Sequence, residues 1–243
     1  MRGSAPTLAV LVRSLDYRDA DRIVTLLTEE HGKVDALARG ARKSKRRFAG
    51  ALQAFAVLRV AVRSGRGTLD TLTEAQTVEV FPNLLRSYRT AQIAGAGTEW
   101  LRELTPMREP DPRPFQSAVR WLRALADTDR ELELFLSYCI RVLAISGFAP
   151  QVDQCAPCGR VPAADQAALF APRLGAVVCR ACGGGPLKLS GQARAAVRVA
   201  RTDRWEEAAD MLDSASVSTL RTLCREVARN QAGKDLPVDA LFA

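Results

Sequence analysis

Four cysteines in the second half of the chain constrain its folding more than any other feature of the sequence. Cys155 and Cys158 form one Cys-x-x-Cys pair, Cys179 and Cys182 form a second, and 20 residues separate the pairs. Two residues between thiolates allow a tight turn to direct both sulfurs at one point, and two such turns complete the tetrahedral set of four sulfurs that Zn²⁺ prefers. Glycine follows each pair and supplies the backbone freedom that such turns require. The spacing therefore predicts one structural Zn²⁺ held by these four residues.

Disulfides, a redox pair and unrelated buried thiols are the alternative interpretations of the two pairs. A reducing cytoplasm disfavours disulfides, and neither pair opens a helix after a strand as a thioredoxin-like motif does. A catalytic zinc ion would need an open coordination position, which four cysteines close. The metal is expected to hold residues 151–186 together, since so short a segment folds poorly on its own.

The sequence carries little that indicates an enzyme. The chain has 243 residues, 47% of them hydrophobic and 26% charged, and no apolar run approaches the roughly 18–20 residues that span a bilayer. Its one histidine, His31, stands in a turn with no nucleophile nearby, and no glycine-rich phosphate-binding loop occurs. Asp16, Asp19 and Asp21 could serve a metal-dependent nuclease only with distant partners, so they are expected on the surface. We predict a cytoplasmic, non-enzymatic protein without a membrane-spanning segment.

Positive charge is concentrated near the N-terminus. The formal net charge is +8, and residues 1–80 hold 14 basic and 9 acidic side chains. Most of the excess lies between residues 33 and 50, where only Asp35 is acidic. So dense a run repels itself unless an anion neutralises it, and nucleic-acid phosphate is the anion that we expect. A solvated basic loop is the alternative.

Residues 7–80 have the pattern of five short strands, at 8–15, 23–28, 34–39, 55–63 and 68–80. The second and third form a hairpin across His31 and Gly32, and the longest connection lies between the third and fourth. This arrangement predicts a small barrel of the oligonucleotide-binding (OB) type, although SH3-like barrels also have about five strands. Alternation in the fourth strand places Arg59 and Arg63 on one face, opposite Leu58 and its apolar neighbours.

Beyond Pro82 the hydrophobic period changes to 3.6 residues, which predicts helices. They are expected at residues 84–105, 115–126, 131–146, 192–201, 205–212 and 219–230. N-caps are predicted at Asn83, at Thr128 in a capping box with Glu131, and at Ser190, Asp203 and Ser216. Cys139 and Cys224 fall among apolar residues at helical spacing and are expected in the core.

The predicted fold class is α+β, an N-terminal five-stranded OB-fold barrel followed by an α-helical domain with an inserted four-cysteine zinc module. The expected boundaries are 1–81 for the barrel, 82–150 and 187–243 for the two parts of the helical domain, and 151–186 for the zinc module.

Five motifs follow one another along the chain: YRDADRIVTLLT at 17–28, HGK at 31–33, ARGARKSKRRFAGALQAF at 38–55, LDTLTEA at 69–75 and SGFAP at 146–150. In this order and spacing they resemble RecO, a family of bacterial recombination mediators of the RecF pathway. The resemblance extends over nearly the whole chain. It departs at Asp19 and Gln76, where glutamate is expected, and neither departure alters a basic residue.

The resemblance implies a DNA repair protein that performs no catalysis. It implies binding to single- and double-stranded DNA, annealing of complementary strands, and cooperation with RecR in loading RecA onto DNA coated by single-strand-binding protein (SSB). It also implies contact with the acidic C-terminal tail of SSB. We expect a nucleoid-associated protein that is monomeric when alone.

The basic residues are the predicted DNA-binding set, with no catalytic residue. The set is Lys33, Arg39, Arg42, Lys43, Lys45, Arg46, Arg47, Arg59, Arg63 and Arg66. Phe48 and Phe55 could stack on bases beside it, although a core position is more common for such aromatics. The alternative function is a zinc-ribbon and OB-fold RNA-binding or transcription accessory protein.

Overall fold

The computed structural model describes residues 5–44, 46–48, 50–65, 67 and 69–242, so the predicted DNA-binding residues Lys45 and Arg66 lie outside the described residues. The chain divides into two compact units. The barrel unit comprises Met1–Ser87 and Thr105–Ala126, and the helical unit comprises Tyr88–Leu104 and Asp127–Ala243.

The barrel unit contains a closed five-stranded barrel. Its strands are β1 (Thr7–Tyr17), β2 (Asp21–Thr28), β3 (Gly32–Ala38), β4 (Val57–Arg63) and β5 (Asp70–Glu79). The strand order is β1-β2-β3-β5-β4, and β4 closes the barrel by pairing antiparallel with β1. The contact between β3 and β5 is parallel and short. This confirms the predicted OB-type barrel with its long connection between β3 and β4.

Strand alternation fills the barrel and exposes its basic residues. Leu58 and Val60 are buried in the barrel core, whereas Arg59 and Arg63 on the opposite face of β4 are exposed. A β-bulge between Leu11 and Arg13 interrupts the alternation of β1. Leu11 therefore faces the core, while Arg13, two residues later, faces outward.

The predicted hairpin between β2 and β3 requires glycine at its turn. Gly32 has a φ of +66°, and a Cβ atom there would lie 1.9 Å from the carbonyl oxygen of Glu109. Segment 107–110 runs beside this turn, and the amide of Arg108 donates to the carbonyl of Lys33 at 2.8 Å. The turn and this segment are therefore in direct backbone contact.

Helix α2 (Pro112–Ala126) packs on the outside of the barrel against β1, β2 and β3. Val10 and Leu27 point outward from paired strands and are nevertheless buried on this side. Residues 82–150 were predicted to belong to the helical domain, whereas this helix belongs to the barrel unit. The physical reason is that β1 and β2 are apolar on both faces and need a cover.

The other helices build the helical unit. They are α1 (Tyr88–Leu104), α3 (Glu131–Ile145), α4 (Gly191–Ala200), α5 (Trp205–Asp210) and α6 (Ser214–Gln231). Helix α3 is central and contacts each of the other four. Cys139 and Cys224 are fully buried in this unit, as predicted, and burial raises the pKa of the Cys139 thiol. None of the helices in the described part of the chain has the length and apolar character needed to cross a bilayer.

Of the predicted caps, only Ser190 is confirmed, its hydroxyl accepting from the amide of Ala193 at 3.0 Å. The predicted cap Ser216 lies inside α6, where its amide donates to the true N-cap, Asp213. The caps predicted at Asn83, Thr128 and Asp203 are not formed. A 3₁₀ turn at Pro82–Leu85 precedes α1, and the N-cap residues of α3 and α5 are Arg130 and Arg204. Two of these caps are missing because their side chains have other partners. Glu131, the second residue of the predicted capping box, accepts from Thr90, and Asp203 pairs with Arg141.

Candidate metal centre and nucleic-acid interface

The four predicted cysteine ligands lie together in the helical unit. Their sulfur atoms are all within 4.8 Å of one another, and the sulfurs of Cys158 and Cys179 are 3.7 Å apart. Four sulfurs at the usual distance of about 2.3 Å from one zinc ion are about 3.8 Å apart, so the donor set fits a tetrahedral metal ion. Within the described residues, no other group of histidine, cysteine and carboxylate side chains clusters in this way.

Backbone hydrogen bonds shape the two turns that carry these sulfurs. In the first turn the amide of Gly159 donates to the carbonyl of Cys155 at 2.8 Å, and in the second the amide of Gly184 donates to that of Cys179 at 3.0 Å. Both glycines have a φ near +70°. Gly159 and Gly184 therefore supply the backbone freedom that the turns were predicted to require.

The pKa values of the thiols reflect their crowding. The backbone amide of Cys179 donates to the sulfur of Cys155 at 3.2 Å, and such bonds lower the pKa of Cys155 to about 6. Hydrogen bonds with the neighbouring thiols raise the pKa of Cys182 to about 12. Four thiolates this close repel one another, and a divalent cation is the group that would stabilise them together.

A small sheet and a buried arginine support the cysteine cluster. Strands β6 (Ala168–Ala171), β7 (Ala176–Val177) and β8 (Leu187–Leu189) form the sheet in the order β7-β6-β8. Arg194 on α4 is 1% exposed and donates to the carbonyl oxygens of Val152, Ala163 and Gln166 at 3.2, 2.8 and 2.7 Å. These contacts attach the segment around the first cysteine pair to α4. The buried position of Arg194 is not predictable from the sequence, because its spacing resembles that of any helical surface arginine.

The chain between β3 and β4, residues 39–56, is here called the basic connector. It is anchored to the β1–β2 turn, where the amide of Arg42 donates to the carbonyl of Ala20 at 3.0 Å. It is anchored again at β5, where the carbonyl of Arg47 accepts from the amide of Ala75 at 3.0 Å. Its described basic side chains are all exposed: Arg39, Arg42, Lys43, Arg46 and Arg47.

The anchoring at β5 brings the connector close to Arg59. Arg59 pairs with Gln76, the residue that follows Ala75 on β5. Arg47 and Arg59 therefore flank the same strand, with about 10 Å between their backbones. Arg63 shares the exposed face of β4 but lies about 13 Å further along it. The structure thus brings the connector and Arg59 together, with Arg63 at the margin.

Lys33 lies apart from this group. It stands at the start of β3, six residues from Arg39 and so about 20 Å away along the strand. Its surroundings are segment 107–110 and the end of the barrel opposite the connector.

The two phenylalanines do not offer an exposed pair of stacking rings. Phe48 is 1% exposed and belongs to the barrel core, and the guanidinium of Arg47 lies 5.4 Å above its ring. Phe55 is half-buried and has a φ of +61°. Phe48 therefore occupies a core position and does not offer its ring for base stacking.

The acidic residues near the β1–β2 turn hold the connector in place. Asp16 pairs with Arg22 at 3.0 Å and more loosely with Arg42 at 3.9 Å. Asp21 accepts from the amide of Gly40 at 2.7 Å. These contacts give both carboxylates a structural role in the barrel unit.

A cavity of about 240 Å³ lies at the opposite end of the barrel, between the β2–β3 turn and the β4–β5 connection. His31 lines it, together with Arg108 and Asp70, whose side chains form an ion pair at 3.0 Å. Local sequence patterns do not indicate this cavity, because Arg108 and Pro110, which line it, are distant in the chain from His31 and Asp70.

The fold and the cysteine cluster together define a class of protein, an OB-fold barrel joined to a helical unit that carries a four-cysteine module. Residues 1–81 match the family description "Recombination protein O N terminal" and residues 85–239 match "Recombination protein O C terminal". The chain belongs to the recombination protein O (RecO) family, as its motifs indicated.

Curated relatives agree with this assignment. The chain is 37% identical over 186 residues to the DNA repair protein RecO of Symbiobacterium thermophilum, which covers 74% of this chain and 73% of the relative. It is 40% identical over 188 residues to that of Geobacter sulfurreducens, covering 74% of each chain. With that of Thermobifida fusca it shares 33% identity over 219 residues, 88% of this chain and 86% of the relative.

Proposed function

We propose that this protein is a non-catalytic recombination mediator that binds single- and double-stranded DNA and anneals complementary strands. In this proposal it acts with RecR to help load RecA onto SSB-coated DNA, and it contacts the acidic tail of SSB. Family membership supports these roles and these partners. The proposal places the protein in the cytoplasm with the nucleoid, as a monomer when alone.

The exposed basic connector beside Arg59 is the observation that carries the DNA-binding part of the proposal. Its cations are held at two anchor points on the barrel, so they present a defined surface to phosphates. Annealing needs no bond to be made or broken, because a cationic surface that binds two strands lowers their repulsion and keeps them close.

The four cysteines are proposed to hold one structural Zn²⁺. Their sulfurs lie within 4.8 Å of one another, which supports a shared metal ion, and four protein ligands would leave no position for substrate. The ion would stabilise the segment between the cysteine pairs, and the OB-fold barrel would carry the DNA.

The salt dependence of DNA binding tests the role of the connector. If about four phosphates of a single strand are neutralised, log K should fall with log[salt] at a slope near −3. A variant with Arg42, Lys43, Arg46 and Arg47 replaced by Ala should bind more weakly with a flatter slope. A control of equal net charge replaces four other exposed basic residues by Ala: Arg86, Arg160, Arg173 and Lys188.

The control should keep the wild-type affinity and slope. Equal behaviour of both variants would reject the connector as the DNA-binding surface. Competition with RNA of the same length distinguishes the RNA-binding alternative, and annealing of SSB-coated strands with and without RecR tests the mediator role.

A further inference from the structure

An apolar strip crosses the outer face of three barrel strands at the end beside the connector. Leu15 on β1 pairs directly with Ile23 on β2, which pairs directly with Leu37 on β3. Directly paired residues share a side of the sheet, so the three side chains lie in one row about 10 Å wide. Tyr17 is next on the same side of β1, adjacent to the row. We call these four residues the apolar strip.

The apolar strip is exposed where the rest of this face is covered. Leu15 is 43% exposed and Tyr17 is 38% exposed, while Ile23 and Leu37 are half-buried. Further along the same face Val10 and Leu27 are buried on the side where helix α2 packs. The helix therefore covers the part of the face around Val10 and Leu27 and leaves Leu15 and Tyr17, beside the β1–β2 turn, exposed.

Cationic groups border the apolar strip. Arg13 is exposed on the same side of β1, and the guanidinium of Arg18 lies 5.2 Å from the centre of the Tyr17 ring. Arg39 follows directly after β3 at the start of the basic connector. The two carboxylates on this face are already hydrogen-bonded, Asp21 to the amide of Gly40 and Asp35 to the hydroxyl of Thr25.

We propose that the apolar strip is a base-stacking platform for single-stranded DNA, with Tyr17 as its principal contact. The proposal rests on the proposed function, since the connector would hold the phosphates while the bases turn toward the strip. The apolar row and its aromatic ring suit the flat faces of unpaired bases, and the arginines at its border suit the phosphates of the same strand. In a duplex the bases stack on each other, so the platform would favour single strands. Annealed product would lose this contact and keep only phosphate contacts.

Affinity measurements on three DNA probes test the platform. The probes are a labelled oligo-dT, an abasic strand of the same length and a duplex. Tyr17→Ala should weaken binding of oligo-dT by about 5- to 150-fold, the effect of losing one stacked base. It should leave the affinities for the abasic strand and the duplex within about 2-fold of wild type, because those ligands offer phosphates without free bases.

Two control variants keep the test specific. Tyr17→Phe keeps the ring and should retain the wild-type affinity, and Tyr88→Ala removes a tyrosine that is 81% exposed in the helical unit and should change nothing. Leu15→Gln should weaken oligo-dT binding in the same direction as Tyr17→Ala, and far-ultraviolet circular dichroism establishes that each variant is folded.

Unchanged oligo-dT affinity in Tyr17→Ala and Leu15→Gln would overturn the platform while the connector proposal stands. Equal losses on the oligo-dT and abasic probes would also overturn it, because the lost contact would then be to the backbone. Failure of the wild-type protein to bind any of the three probes would instead reject the proposed function together with the platform.

Discussion

The arginines of the helical unit and the basic residues of the connector differ in their partners. Most arginines of the helical unit are paired with acidic side chains or buried against carbonyl groups. Arg201 pairs with Asp153 at 2.7 Å, Arg221 and Arg225 share Asp239 at 2.7 and 2.8 Å, and Arg194 is enclosed by carbonyl oxygens. In the described part of the basic connector, Arg39, Lys43 and Arg46 have no carboxylate within 4.0 Å.

This difference indicates that net charge alone does not locate a nucleic-acid surface. A paired guanidinium has little attraction left for phosphate, whereas an exposed unpaired one retains it. The comparison predicts that substitutions in the helical unit change stability and leave DNA binding intact. Substitutions in the connector should have the reverse effect.

Removal of the metal ligands should produce the largest effect. The double variant Cys155→Ser, Cys158→Ser should lose one zinc ion per chain and unfold the segment around the cysteines, because structural zinc contributes about 10 kcal/mol or more in small zinc-binding peptides. Elemental analysis measures the zinc, and calorimetry measures the unfolding. Affinity for DNA should remain near that of wild type, because the connector lies in the barrel unit.

Cys224→Ala is the control for that variant, since it removes a buried thiol outside the cluster and should keep the full zinc content. A wild-type protein that is folded but contains no metal would contradict the structural zinc. A large loss of DNA affinity in the double variant would contradict the assignment of DNA binding to the barrel unit.

Loss of the buried arginine should have the next largest effect. Arg194→Met keeps most of the side-chain volume but leaves the carbonyl oxygens of Val152, Ala163 and Gln166 without their donor. Each unsatisfied buried acceptor costs about 1–3 kcal/mol, so we expect the free energy of unfolding to fall by about 3 kcal/mol. Urea denaturation of the zinc-loaded protein measures this change.

The exposed Arg204 provides a matched control, because Arg204→Met removes an arginine whose ion pair with Glu207 is solvent-screened and contributes little to stability. If Arg194→Met and Arg204→Met were equally stable, the carbonyl contacts of Arg194 would have no energetic role. A change in DNA affinity in either variant would contradict the separation of roles between the units.

Local patterns in the sequence were sufficient for the cysteine cluster and for much of the barrel. The Cys-x-x-Cys spacing and its glycines determine the geometry within a few residues, and alternation in β4 correctly separated Leu58 from Arg59. Both signals are local, so tertiary contacts do not change them.

The outward orientation of Tyr17 was not predictable from alternation. Leu11 faces the core, and strict alternation would turn Leu15 and Tyr17 inward as well. The β-bulge after Leu11 reverses the alternation, and no residue there marks it. The position of helix α2 was missed for a related reason, since an apolar outer face shows that a cover is needed without identifying the segment that provides it.

The ion pair between Arg123 and Glu79 lies in the barrel unit but resembles the pairs of the helical unit. Arg123 donates to both carboxylate oxygens of Glu79 at 3.0 and 2.6 Å, and these bonds lower the pKa of Glu79 below its usual 4.5. A lowered folded-state pKa stabilises the fold above the unfolded-state pKa, and this stabilisation is lost as the pH falls through the lowered value. The side chains are 58% and 31% exposed, so Glu79→Gln should cost less than about 1 kcal/mol at pH 7.

The difference between wild type and Glu79→Gln should disappear in acid, when the carboxyl group of the wild type is protonated. Urea denaturation at pH 7 and at a pH below the folded-state pKa measures both conditions, and 1 M salt at pH 7 should reduce the difference. DNA affinity should change little, although Arg123 gains an unpaired charge in the barrel unit. A marked gain in affinity would mean that pairing, rather than position beside the connector, determines which arginines reach DNA.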